Sequence, residues 1–488
     1  MNIAGLIFLI LMHFFSGRGL LYLFNIKTRL WATIALSMIT GILIIALIPM
    51  LLDLFFIPIT TENVIISTLL VTILLNSTQV KKYRISTLKH ITSSIKSITL
   101  TDALFLLLFI LLMIPSVWRC FYFPAYARDI LSGPEIIAEY TLREKTMINS
   151  VFSLNLETTN NHLKPPFVSG LQIVYKMLVH PFGELWLSIL SGSFLIWLFS
   201  LMREKLHPAV AGFCLLLFIA IPEMYAYTYI LLFDYANAIM FSIGIYFFLQ
   251  YVIQQKANYF FFSTLMFGFA TFIRSETLVL ICMLLPMILF FFYKEKLPVI
   301  KRILYTGTFV IVPFIFYYVW MGIFIKYYLP IKFNVGDQVN TDFSHVNIFF
   351  SRLSDLTSSY LLGGNSTMHY AYFINVFCII LLTDVIVYRK FNTEARILLY
   401  SILVLYIGIP LLGFLIPWYD LDNTSKRALF KMFPLMLLYF RNSMILQALS
   451  RSIINWESPQ TKSVQATIDK IIPQMAKPKP GIKKRGKQ

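Results

Sequence analysis

Residues 30–52 read LWATIALSMITGILIIALIPMLL, an apolar run without a single charged side chain. At about 1.5 Å of rise per residue, a helix of this length crosses the roughly 30 Å hydrocarbon core of a bilayer. No alternating pattern of the kind a membrane barrel needs is present, so each such run must be a helix. Similar runs recur outward from this one, over 3–24, 61–76, 102–118, 182–202, 208–222, 228–250, 259–273, 277–293, 304–328, 369–388, 397–417 and 428–448. They predict an all-α, polytopic helical membrane protein with about thirteen transmembrane helices. The apolar N-terminus has no small-residue cleavage site after it and reads as a membrane helix, not a removed signal.

Composition agrees. Of 488 residues, 58% are hydrophobic and only 13% charged, whereas soluble domains carry about 25% charged residues. The net charge of +18 would point to nucleic acid in a soluble protein. Here the bases sit in linkers and a tail, where they set topology and meet anionic lipid, so no nucleic-acid partner is expected. The four cysteines are scattered, with no disulfide framework or CxxC pair.

The linkers give the orientation. Lys81, Lys82, Arg84, Lys89 and Lys96 form one basic segment. Arg203 with Lys205, Lys256, Lys294 through Arg302, and Arg389 with Lys390 and Arg396 form others, and the tail ends KPKPGIKKRGKQ. Counting spans puts all of them on one side, which by the positive-inside rule is cytoplasmic. The expected organisation is a three-helix membrane module with its basic linker over 1–100, a transmembrane core over 101–450, and a basic cytoplasmic tail over 451–488. Parity leaves 119–181, 329–368 and 418–427 outside. The compact loops suit a bacterial inner membrane.

The large first outer loop is the most informative. In YARDILSGPEIIAEYTLREKTMINS, Ser132, Pro134 and Glu135 read as a capped helix start. Ile136, Ile137, Tyr140 and Met147 follow at helical spacing, as an amphipathic interfacial helix would have them. Pro165 and Pro166 bar a helix through that point. The short apolar stretch 167–178 after them reads as a second interfacial or re-entrant helix.

Four places in this frame resemble the GT-C superfamily of glycosyltransferases, in its dolichyl-phosphate-mannose protein mannosyltransferase-like and aminoarabinose transferase-like branch. The first is Asp129, beside Arg128, in the first outer loop soon after a span. The second is His162, Pro165 and Pro166 followed by an apolar stretch, Phe182 and Gly183. The third is GFATFIRSETLVL, with Arg274 and Glu276. The fourth is KRALFKMFPLMLLYF, with Arg427, Lys431 and Pro434. The family's tyrosine after the last arginine is Ala428 here. The resemblance covers about 102–448 and implies transfer of a sugar from a polyprenyl-phosphate carrier to a glycan, lipid or protein acceptor on the outer side, with inversion and no nucleotide site.

Such chemistry needs a base for the acceptor hydroxyl, cations for the leaving phosphate and a groove for the prenyl chain. Asp129 is the candidate base. Asp234, a carboxylate inside the apolar run YTYILLFDYANAIMF, is a functional candidate by default, since charge in a membrane is costly. It would position the acceptor or pair with an arginine. Glu223 is its companion, and Tyr225, Tyr227, Tyr229 and Tyr235 would form a sugar platform or an interfacial belt. Arg274 and Arg427 are the candidate phosphate ligands, with Lys431, Lys145, Lys164, Arg128, Glu135, His162 and Glu276 as further substrate contacts. No cofactor is required. A divalent ion on Glu135, Asp337, Asp342 or Asp420 is a second reading that no spacing compels. A lipid-linked saccharide transporter or flippase would show paired repeats and broken helices at the midplane. An oligosaccharide polymerase or ligase would place its large loop late. The sequence has neither feature.

Overall fold

In the computed structural model the described residues are 2–77, 98–122, 128–153, 164–179, 183–328, 340, 342, 346–363, 370–389, 391–416 and 424–457, without the side chains of 128, 129, 327 and 328. Among them there is helix and no strand. Among the described residues nine helices are long and apolar enough to cross a membrane: α1 (Ile3–Leu23), α2 (Leu30–Leu54), α4 (Leu100–Tyr122), α8 (Leu185–Met202), α11 (Phe233–Gln254), α13 (Thr277–Lys294), α14 (Val299–Lys326), α16 (Ala371–Tyr388) and α17 (Thr393–Leu415). Shorter apolar helices are α3 (Thr61–Asn76), α7 (Phe167–Leu178), α9 (Pro208–Ile219) and α12 (Ala257–Ile273). The last span is broken: α18 (Lys426–Asn442) and α19 (Met444–Glu457) meet at 52°. Short helices α5 (Arg128–Leu131), α6 (Pro134–Glu144), α10 (Pro222–Ala226) and α15 (Asn347–Asp355) complete the order. Every predicted span thus has a helix, but not all are full length. The predicted 428–448 span is bent because Asp384 accepts hydrogen bonds from the Tyr439 hydroxyl (2.8 Å) and the Ile445 backbone N–H (3.0 Å), giving α19 a new N-terminus.

Two differences from the sequence reading concern the first outer loop. Ser132 does not cap α6: the cap residue is Gly133, with no side-chain cap bond, although Pro134 does take the first turn. Glu135 turns away from the helix end to a salt bridge with Lys176 and a 2.9 Å bond from Gln172, whose own oxygen accepts from Trp186. The helix after the paired prolines is not an interfacial skin. Phe167, Val168, Leu171, Ile173, Val174 and Tyr175 are all fully buried, because α7 is covered by α2 and α6. The first three helices lie against this same core, with α2 along α8 and α7. Helices α1 and α2 cross closely because both are glycine there. A Cβ on Gly41 would sit 1.8 Å from the His13 carbonyl oxygen, and one on Gly17 as close to that of Ser37. Small residues let membrane helices approach when no hydrophobic force drives them together.

One end of the bundle is closed by ion pairs. Arg441, at the end of α18, donates to Glu204 (2.6 Å), Glu394 (2.9 Å) and the Leu201 carbonyl (2.9 Å). Lys205 joins Glu394 and Asn442, each at 2.7 Å, and Arg203 pairs with Asp102 at 2.5 Å. The linker bases Arg203 and Lys205 therefore also tie α4, α8, α17 and α18 together.

Candidate functional site

The opposite end of α18, with the start of α11 and the end of α12, carries a second charged cluster. Helices α11 and α12 form an antiparallel hairpin, which brings the start of the first beside the end of the second. Asp234 lies in the first turn of α11, and Arg274 follows α12 in extended conformation. Asn237, one turn further along α11, fixes the alignment: its amide donates to the Ala270 carbonyl (2.6 Å) and to the Thr277 hydroxyl (3.0 Å).

Arg274 is 4% exposed and forms salt bridges with both Asp234 and Glu276. Arg427, at the start of α18, stands 3.8 Å from the other Asp234 oxygen and hydrogen-bonds Tyr227. Lys431 follows one turn on, at the end of a 3-10 turn over Leu429–Lys431. It is 1% exposed and within electrostatic reach of Arg274, Asp234 and Glu276. From the segment just before α7 comes Lys164, half-buried, its amine 5.0 Å from the Phe233 ring centroid and facing Arg274, Glu276, Asp234 and Arg427. Burial and the Arg274 charge lower this amine to about 8.

Beside Arg427 lies Glu223, half-buried in α10, whose Oε2 accepts from the Tyr370 hydroxyl at 2.7 Å. Burial raises its carboxyl above the usual range, against the Tyr370 bond and the Lys426 and Arg427 charges. Around them Tyr227 and Phe430 meet edge to face at 4.7 Å, and Tyr370 packs on Phe433 at 5.0 Å.

Among the described residues, four cations (Lys164, Arg274, Arg427, Lys431) converge with two carboxylates (Asp234, Glu276), and Glu223 adjoins them with Lys426 near it. Buried charge is costly unless matched, and a positive excess of this kind is what a phosphate needs. Asp234, held between two arginines, orients guanidinium groups, which is the arginine pairing that the sequence offered as one of its roles. The structure thus brings together Asp234, Arg274, Glu276, Arg427, Lys431, Lys164, Glu223 and Tyr227.

Other candidates lie apart. Glu135 serves the α6–α7 contact. Lys145 is exposed, in the left-handed region, and its amine bonds the Leu142 carbonyl. Tyr225 donates to the Leu112 carbonyl, Tyr229 takes a cation–π contact from Arg119, and Tyr235 is buried near Ser191, so three of the four tyrosines of the supposed platform point elsewhere. Asp342 is exposed. Arg128 and Asp129 open α5, but their side chains, like all of His162, Asp337 and Asp420, lie outside the described residues. Tyr370 and Phe233 were missed. The signal for Tyr370 was its place at the start of a span directly after an outer loop. No group of three or more His, Cys, Asp or Glu side chains able to hold a metal is present among the described residues.

Among the described residues the frame is all-helical, with a buried cation-rich site at one end. Residues 164–320 match the family model of dolichyl-phosphate-mannose-protein mannosyltransferase, and this match points to a membrane glycosyltransferase. It includes Lys164, Glu223, Tyr227, Asp234, Arg274 and Glu276, while Arg427 and Lys431 lie beyond it. No curated protein and no solved structure matches the chain.

Proposed function

We propose that this protein transfers a sugar from a polyprenyl-phosphate carrier to a glycan, lipid or protein acceptor on the non-cytoplasmic side of a bacterial inner membrane, with its C-terminal tail in the cytoplasm. The observation that carries the reading is the convergence of Lys164, Arg274, Arg427 and Lys431 at the mouth of the α11–α12 hairpin. The basic linkers at the other end of the helices support the orientation.

In this reading Asp129 takes the proton of the acceptor hydroxyl. The oxygen bonds to the anomeric carbon as that carbon's bond to the phosphate oxygen breaks. The carrier leaves as a phosphate monoester with one more negative charge than it brought. Arg427 and Arg274, held in place by Asp234 and Glu276, meet that charge without reorganising, which is the largest contribution such a site makes. Lys164 and Lys431 add to the field.

The test uses the purified protein in lipid nanodiscs with a polyprenyl-phosphate sugar. Asp129→Asn is expected to lower transfer, or hydrolysis with water as acceptor, by about 100-fold or more, with carrier binding retained. Arg427→Gln is expected to weaken carrier binding as well. Equal turnover by wild type and Asp129→Asn removes Asp129 as the base.

A further inference from the structure

We propose that Glu223, held in place by the buried Tyr370 and with Tyr227 beside it, forms the subsite for the sugar that the carrier phosphate bears. This rests on the transferase reading above and adds where the sugar lies and what holds it.

The argument begins with which carboxylates are engaged. Asp234 and Glu276 both form salt bridges with Arg274. Glu223 is in no ion pair among the described residues, and its hydrogen bond is to a neutral phenol. That bond fixes one oxygen, and an ionised carboxylate offers about four lone-pair sites in all, so acceptor capacity remains for ligand hydroxyls. Tyr370 is fully buried and packed between Phe430 (6.2 Å) and Phe433 (5.0 Å), so it cannot swing away from its partner.

Position follows from Arg427. This arginine reaches Asp234 on one side and Tyr227 on the other, and it lies within the field of Glu223. A phosphate held among Arg427, Arg274 and the two lysines places its sugar one bond away. On the Glu223 side of Arg427 the sugar would meet a hydrogen-bonding carboxylate and the edge of Tyr227, backed by the buried Phe430 and Tyr370 rings. Hydroxyls on one edge and C–H groups on a face are what such a wall recognises: fixed polar groups orient the ligand and apolar ones bury it. The ligand class is a neutral hexose linked through phosphate to a prenyl chain.

The experiment compares two ligands on one protein in nanodiscs. One is bare polyprenyl phosphate. The other is the same carrier bearing mannose, glucose or galactose. Wild type is expected to bind at least one glycosylated carrier more tightly than the bare one. Glu223→Gln should lower the affinity for that glycosylated carrier relative to the bare one by about tenfold, as expected for hydrogen bonds to a charged group, without weakening the bare phosphate. Tyr370→Phe, which keeps the ring, should lose part of the same margin. Retained binding of bare carrier shows that each variant is folded. The proposal is overturned if the sugar margin survives in both variants, if both ligands weaken equally, or if wild type shows no margin for any of the three sugars. If wild type binds neither carrier, the transferase reading falls and this subsite falls with it.

Discussion

Replacing Asp234 by Asn separates the two roles of this carboxylate. Its side chain is 2% exposed and contacts the guanidinium groups of Arg274 and Arg427. Removing one partner of a buried pair costs about 3–5 kcal/mol, because the other charge stays buried and unmatched. Asn keeps the shape and can still accept a bond from Arg274, so the lower end, about 3 kcal/mol, is expected. The double variant Asp234→Asn, Arg274→Gln removes charge from both sides, and its loss should be smaller than the sum of the single losses by about 1–3 kcal/mol. Polyprenyl phosphate should stabilise Asp234→Asn more than wild type, since the ligand's charge then meets four cations opposed by one carboxylate fewer. Tryptophan fluorescence during denaturant unfolding in mixed micelles, with and without the carrier, measures all three quantities. The reasoning is refuted if Asp234→Asn unfolds like wild type, or if the two substitutions add without coupling.

The remaining expectations are simpler. With the Lys164 amine lowered to about 8, it is charged below that pH and neutral above it. Carrier-phosphate affinity should therefore fall as pH rises through about 8, and Lys164→Arg, charged throughout, should flatten the curve measured by equilibrium binding. Arg441→Met leaves Glu204 and Glu394 without their shared partner at the far end of the bundle. It should cost about 3–5 kcal/mol in the same unfolding assay while carrier affinity in the folded fraction stays unchanged. Gly41→Ala forces α1 and α2 apart, since its Cβ would fall 1.8 Å from the His13 carbonyl oxygen. A loss of about 1–3 kcal/mol is expected, and unaltered stability would show that the crossing is looser than described.

Much of the site was legible because charge inside a membrane helix is rare enough to stand out. Asp234, Arg274, Arg427 and Lys431 each interrupt or border an apolar run, and cost alone marks them. Charge in polar loops carries no such mark. Glu135, Lys145 and Lys164 look alike in sequence, yet only Lys164 reaches the cluster, its amine lying against Phe233 at the start of α11. The same ambiguity affects tyrosines: Tyr225, Tyr227, Tyr229 and Tyr235 share one short stretch, and the break between α10 and α11 sends one to Arg427 and three elsewhere.

What the sequence by itself determined is the helical, membrane-spanning class and the approximate position of each span, since these follow from length and hydropathy, which are local. It also marked which buried charges must find partners. Which partners they find was decided only by the tertiary structure. Asp234 and Arg274 are 40 positions apart, and Glu223 and Tyr370 are 147 apart. Hydropathy specifies that a helix crosses, but not which face turns to which neighbour. That choice rests on close packing, such as the glycine contact of α1 with α2, and on hydrogen bonds such as that of Asn237 with the end of α12, and neither is a property of any one segment.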